Sequence, residues 1–142
     1  MNKTIKTTLL AVTIYMLSLL TPHTTYASGI EKSTESGIIY KTIKAGKGEH
    51  PNVNDFVTVI YEGYLEDGTM FDSSNGQETT FKLNRTILGW QEGIQLMRPG
   101  SVFTFLFPPH LAYGNNGTRG IPPNASLVFK VKLIGTKKAQ AI

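Results

Sequence analysis

Leu127, Phe129, Val131 and Leu133 fall on every second position, with Lys130 and Lys132 in the gaps between them. Such alternation sends the two sets to opposite faces of a strand, so Leu127–Ile134 is predicted to have one dry and one wet face. Phe103, Phe105 and Phe107 repeat the pattern in Ser101–Phe107, as do Val57, Val59 and Tyr61 in Phe56–Leu65. Ile38–Ile43 is a candidate first strand. Glu66-Asp67-Gly68-Thr69 marks a hairpin, because Asp-Gly supplies the positive φ angles of a tight two-residue turn, and the chain is expected to return through Met70–Ser73. Helical spacing occurs in one segment, Leu88–Met97, where Trp90, Ile94 and Met97 recur at intervals of four and three. Arg98-Pro99-Gly100 stops it. Of the 14 Gly and 7 Pro, all but Gly29 and Pro22 lie beyond Ser36, punctuating short β-branched and aromatic runs. Many strands and one short helix imply an α+β domain whose antiparallel sheet packs one face against that helix.

The first 27 residues follow a different pattern. Lys3 and Lys6 precede an apolar run of 12 residues, Leu9–Leu20; Pro22 breaks it, and Thr25-Tyr26-Ala27 offers a small-residue cleavage site. A membrane-spanning helix needs about 20 apolar residues, so a cleaved export signal is the better reading and an uncleaved anchor the weaker one. Residues 28–36 are short and polar and are expected to be a flexible lead-in. Residues 37–138 form the domain and 139–142 a tail. The exported chain is expected to work in a bacterial periplasm.

Composition mainly excludes. The chain has no Cys, hence no disulfide framework and no thiol nucleophile. Of its three His, His23 lies in the leader, and His50 and His110 stand apart beside prolines, which is no metal-ligand spacing. No metal or other cofactor is expected. Nucleophile elbows, phosphate loops and dinucleotide fingerprints are missing. The formal charge of +4 includes Lys3 and Lys6, and no dense Lys/Arg cluster argues for nucleic acid. What remains is a set of aromatics beside turns: Tyr61, Phe71, Phe81, Trp90, Tyr113 and Phe129. Any one of them is ordinarily core. Trp90, opening the only helix directly after Gly89, is placed to floor a pocket.

The blocks Val59–Ser74, Gly89-Trp90-Gln91-Glu92-Gly93 with Met97 and Gly100, Leu111-Ala112-Tyr113-Gly114, and Gly120–Phe129 together resemble the FKBP-type prolyl isomerases. The match runs from about Gly37 to Lys138 and is nearest the C-terminal domain of exported bacterial macrophage-infectivity-potentiator-like members. The resemblance implies a twisted sheet of five to six antiparallel strands wrapped on one short helix. It also implies a peptidyl-prolyl cis–trans isomerase. Trp90, Phe129, Asp72 and Tyr113 would be catalytic, and Tyr61, Phe71, Phe81, Ile87 and Ile121 would bind substrate. The Ile87 N–H and the Tyr113 hydroxyl would donate to ligand carbonyls. Partners would be proline-containing unfolded or folding polypeptides and ligands of the tacrolimus and rapamycin type.

The same pocket on a non-catalytic proline-binding module, or on a secreted virulence-associated factor, is the alternative. Three departures from the family stand out: Thr86 replaces a commonly apolar residue, Leu88 a proline frequent in bacterial relatives, and the 114–121 loop has no internal proline, so that it is expected to be mobile. With only about ten residues between Ala27 and Gly37, the chain is expected to be a monomer.

Overall fold

A computed structural model describes residues 30–140, where the alternating segments form one antiparallel sheet. Its strands are β1 (Lys32–Ser33), β2 (Ile39–Lys44), β3 (Phe56–Leu65), β4 (Met70–Ser73), β5 (Thr79–Lys82), β6 (Val102–Phe107) and β7 (Leu127–Lys137). They lie in the order β1-β2-β6-β7-β3-β4, with β5 also paired to β3. β4 runs beside the second half of β3 and β5 beside the first half, so the two act as one interrupted strand. The α+β architecture expected from the sequence is therefore present, with one short strand more than the expected five to six. The leader and its cleavage site lie outside the described residues. Within the described residues no helix is long and apolar enough to cross a membrane.

Several boundaries differ from expectation, each for a local reason. Lys32–Ser33 pairs with Tyr40 and Ile39, giving structure to part of the segment expected to be a lead-in. β7 continues to Lys137 because Ile134 is an extra residue opposite the step from Thr58 to Val59, and beyond it the ladder resumes. That bulge is where the alternation in the sequence breaks. The hairpin loop has three residues instead of two. The Leu65 carbonyl accepts from the Gly68 N–H, the Leu65 N–H donates to the Thr69 carbonyl, and of the loop residues only Gly68 has positive φ, at 91°. This is a type I turn closed by a left-handed glycine.

The helix, α1, spans Leu88–Ile94. It ends earlier than its spacing suggests, because Leu96 and Met97 donate to the Gly93 and Ile94 carbonyls in a tightened last turn. Met97 is nonetheless fully buried. A Cβ on Gly89 would lie 2.6 Å from the Phe107 ring, and one on Gly93 would lie 3.1 Å from the Phe105 ring. One turn apart on the same helix face, the two glycines let α1 sit directly on the β6 aromatics. Val57, Val59, Phe105, Phe107, Val131 and Leu133 fill the core between helix and sheet.

A buried carboxylate ties β3 to the segment leading into the helix. Asp55, 3% exposed, accepts from the Asn52 N–H at 2.8 Å and from Lys138 Nζ at 3.4 Å, and its carbonyl accepts from the Leu83 N–H. Burial alone would raise its pKa, but the Asn52 bond and Lys138 outweigh burial and hold it below the ordinary value. A depressed native pKa contributes stability above the unfolded value of about 3.9 that is lost as pH falls through the native one. Stability measured by urea unfolding should therefore drop below about pH 4, and less steeply in Asp55→Asn. At neutral pH that variant should be about 1–3 kcal/mol less stable.

Candidate active site

β3, β4, β5, α1 and β7 contribute side chains to one open pocket of about 440 Å3 at the end of the sheet that faces the start of the helix. Its wall residues are Tyr61, Phe71, Asp72, Phe81, Arg85, Thr86, Ile87, Trp90, Tyr113 and Phe129. Trp90, 4% exposed, is at the centre. Its ring stands almost perpendicular to those of Tyr61 (5.2 Å, 89°), Phe81 (5.7 Å, 85°) and Phe129 (5.5 Å, 82°). Edge-to-face pairs at such distances are favoured by the ring quadrupoles. Phe71 extends the wall by a perpendicular contact to Phe129 at 5.5 Å.

Backbone irregularity lets neighbouring residues face the same cavity. In a regular strand Phe71 and Asp72 would point to opposite faces. Here Gly63 pairs with Asp72 and Tyr64 with Met70, so Phe71 is an extra residue, and the bulge turns both it and Asp72 toward the pocket. Gly63 makes room for this, since a Cβ there would be 2.8 Å from Phe129 and 2.9 Å from Phe71. Ser74, buried, continues the ladder past β4: its hydroxyl accepts from the Tyr61 N–H and its own N–H donates to the Tyr61 carbonyl. The Tyr61 ring is thereby fixed from its backbone outward.

The Tyr61 hydroxyl donates to Asp72 Oδ2 at 2.9 Å. Burial first, then the Asp72 bond and charge, and then Tyr113 push its pKa up to about 12. The phenol therefore stays protonated, and donating, throughout the physiological range. Because the native pKa is raised, the associated stability is whole below the unfolded value of about 10 and is lost as pH rises toward 12. An ultraviolet titration should show one tyrosine ionising about two units above the unfolded value, and this late step should vanish in Tyr61→Phe. That variant should lose about 0.5–1.5 kcal/mol of stability near neutral pH.

Eight of the nine residues expected at the site line this pocket. Ile121 does not. It is 6% exposed and belongs to the core, where it anchors the 114–121 loop by reciprocal backbone bonds with Thr118. Asn124 N–H to the Gly114 carbonyl and Gly117 N–H to the Tyr113 carbonyl tie the same loop down. Gly117, at φ 62°, lies so close to the Ile121 carbonyl that a Cβ would stand 2.5 Å from it. The expected mobility is thus opposed by a hydrogen-bonded frame. Two wall residues, Arg85 and Thr86, were not expected at the site. Both directly precede Ile87 in the chain; Thr86 stood out in the sequence only as a departure from the family pattern, and Arg85 did not stand out.

Residues 47–134 match the family model of the FKBP-type peptidyl-prolyl cis-trans isomerases. The chain belongs to that family. Relatives bear out the kinship. The chain is 50% identical over 110 residues to the peptidyl-prolyl cis-trans isomerase Mip of Coxiella burnetii, covering 75% of this chain and 48% of that protein. It is 52% identical over 112 residues to the FKBP-type isomerase FkpA of Aeromonas hydrophila, covering 78% of this chain and 42% of that protein. The crystal structure of FkpA from Escherichia coli superposes with a TM-score of 0.77 at 36% identity, over 94% of this chain and 60% of that one. The chain thus spans less than half the length of the curated relatives it matches. This FKBP-type domain keeps the helix, the aromatic walls and the terminal strand that its sequence blocks imply. Among its described residues no cluster of three or more His, Asp or Glu could hold a metal ion.

Proposed function

We propose that the chain is a peptidyl-prolyl cis–trans isomerase acting on proline-containing polypeptides as they fold. One observation carries this: the Trp90 floor, held by three perpendicular rings, under an apolar pocket with polar groups at its rim. The X–Pro bond rotates slowly because rotation breaks amide resonance, a barrier of roughly 18–20 kcal/mol. Uncatalysed exchange takes about 10–100 s and can limit folding. No covalent bond is made or cut, so the chemistry needs no nucleophile.

Resonance places charge on the carbonyl oxygen and the nitrogen, and twisting removes it. An aromatic site solvates the planar, polar ground state less well than water does, so it favours the twisted state. Trp90, Phe81, Tyr61 and Phe129 hold the proline ring in this reading. The Ile87 N–H and the Tyr113 hydroxyl serve as donors to the flanking carbonyls. Neither has a hydrogen-bond acceptor among the described residues, which supports that role. A carboxylate accepts but does not donate. Asp72 therefore acts through Tyr61, whose hydroxyl and ring it orients, and not as a donor to the twisted carbonyl. A rate gain of about 10³ requires only about 4 kcal/mol.

Exchange NMR on a Xaa-Pro peptide tests the reading: turnover that rapamycin suppresses supports it, and rapamycin binding without turnover indicates a non-catalytic proline-binding module. The pattern of residues 1–27 supports export, and its clients would then be exported polypeptides.

A further inference from the structure

We propose that Arg85 makes this chain select proline segments that carry a carboxylate within two residues of the proline. The inference rests on the isomerase reading and names part of its substrate class.

The pocket wall contains two charged side chains, Asp72 and Arg85. Asp72 accepts from Tyr61. Arg85 is exposed, and among the described residues its guanidinium pairs with no carboxylate; the ion pairs found there are those of Lys138 with Glu49 and Asp55. A free guanidinium at the edge of an apolar site offers a planar, two-pronged donor suited to a carboxylate.

Its placement is fixed by the surrounding chain. Arg85 ends a short 3-10 turn, Leu83–Arg85, whose first residue is fully buried and donates its N–H to the Asp55 carbonyl. The Thr86 N–H and hydroxyl both bond the Leu83 carbonyl, the hydroxyl at 2.7 Å. Gln91 of α1 reaches back with Nε2 to the Thr86 carbonyl at 2.8 Å, and Asn84 bonds the Asn54 side chain at 3.2 Å. These five hydrogen bonds hold Leu83, Asn84 and Thr86, the residues flanking Arg85, beside the pocket. Only the Arg85 side chain is left to move, so binding a carboxylate orders one side chain and no backbone. The Thr86 hydroxyl, already engaged, does not compete for the ligand.

The test uses peptides with one central Leu-Pro in which Glu or Gln is placed in turn at each position within two residues of the proline. kcat/KM is measured by exchange NMR for the chain and for Arg85→Gln and Arg85→Glu. Within each protein the readout is the Glu/Gln ratio, which a uniform change in turnover leaves unmoved. At one position at least the unmodified chain should prefer Glu by about two- to fivefold, the range of an exposed ion pair. The ratio should fall to about 1 in Arg85→Gln, invert in Arg85→Glu, and shrink in the unmodified chain at high salt. Equal turnover of Glu and Gln peptides at every position, or a preference that survives in Arg85→Gln, overturns the role of Arg85 while the isomerase reading stands. A chain that isomerises none of the peptides overturns both.

Discussion

Replacing Trp90 with alanine is expected to lower kcat/KM toward a proline peptide by at least about tenfold and to cost about 3–5 kcal/mol of stability. Both effects come from one geometry. Trp90 is 4% exposed and meets Tyr61, Phe81 and Phe129 edge-on, so truncation opens a cavity that none of the three can fill without leaving its own strand. Aromatic pairs contribute about 0.5–1.5 kcal/mol beyond their buried area, and three such pairs are lost together. Domains of this size are stable by about 5–15 kcal/mol, so the variant should remain largely folded in the cold. Trp90→Leu separates the two effects. Leucine keeps the helix position apolar but supplies no flat floor, so most of the stability should return while turnover stays low. Urea unfolding and exchange NMR on both variants check this; a Trp90→Leu protein with full activity would remove the tryptophan from the mechanism.

Gly89→Ala should impair activity without touching any group that meets substrate. The added Cβ would lie 2.6 and 2.7 Å from atoms of the Phe107 ring, which is fully buried and stacked against Phe105 at 5.3 Å. That ring cannot retreat, so α1 has to lift, and Trp90 is the next residue along it. Overpacking of this kind costs about 1–3 kcal/mol, against a gain of about 1 kcal/mol from replacing a helical glycine. The net loss should be up to about 2 kcal/mol, with kcat/KM down severalfold. Gly135→Ala is the control. Its Cβ would meet nothing within 4 Å, and its stability should change by no more than about 0.5 kcal/mol. Equal behaviour of the two variants in thermal unfolding would show that the close approach of helix and sheet is not tight enough to matter.

Elements that bury one face were legible in the sequence, and those that bury little were not. β3, β6 and β7 announce themselves because Val57/Val59, Phe103/Phe105/Phe107 and Leu127/Phe129/Val131/Leu133 alternate over a buried face. β1 has two exposed polar residues, and β5, Thr79–Lys82, has only Phe81 as an apolar signal; pairing to a neighbour makes each a strand. The bulges at Phe71 and Ile134 were equally hidden, since an extra residue is defined by what lies opposite it. The site divides in the same way. Its aromatic walls follow from recognisable blocks, whereas Arg85 reaches the pocket through the turn Leu83–Arg85, which is bonded to Asn54 and Asp55, far back in the chain. Ile121 stands apart from the wall residues: it is buried, and its backbone bonds with Thr118 brace the 114–121 loop.

β7 comes last in chain order yet lies between β6 and β3, pairing along the whole of Phe56–Leu65 on one side and Val102–Phe107 on the other. Without it, β1, β2 and β6 form one ribbon and β3, β4 and β5 another, with no ladder joining them. A polypeptide delivered N-terminus first, whether by ribosome or by translocon, thus presents two half-sheets with open edges until Lys137 has emerged. Closure then depends on contacts distant in sequence, which makes folding slow for the domain's size. During that interval the exposed edges are vulnerable to pairing with other chains. A domain proposed to relieve slow proline steps in other chains thus has a late step of its own, the insertion of β7 between β6 and β3.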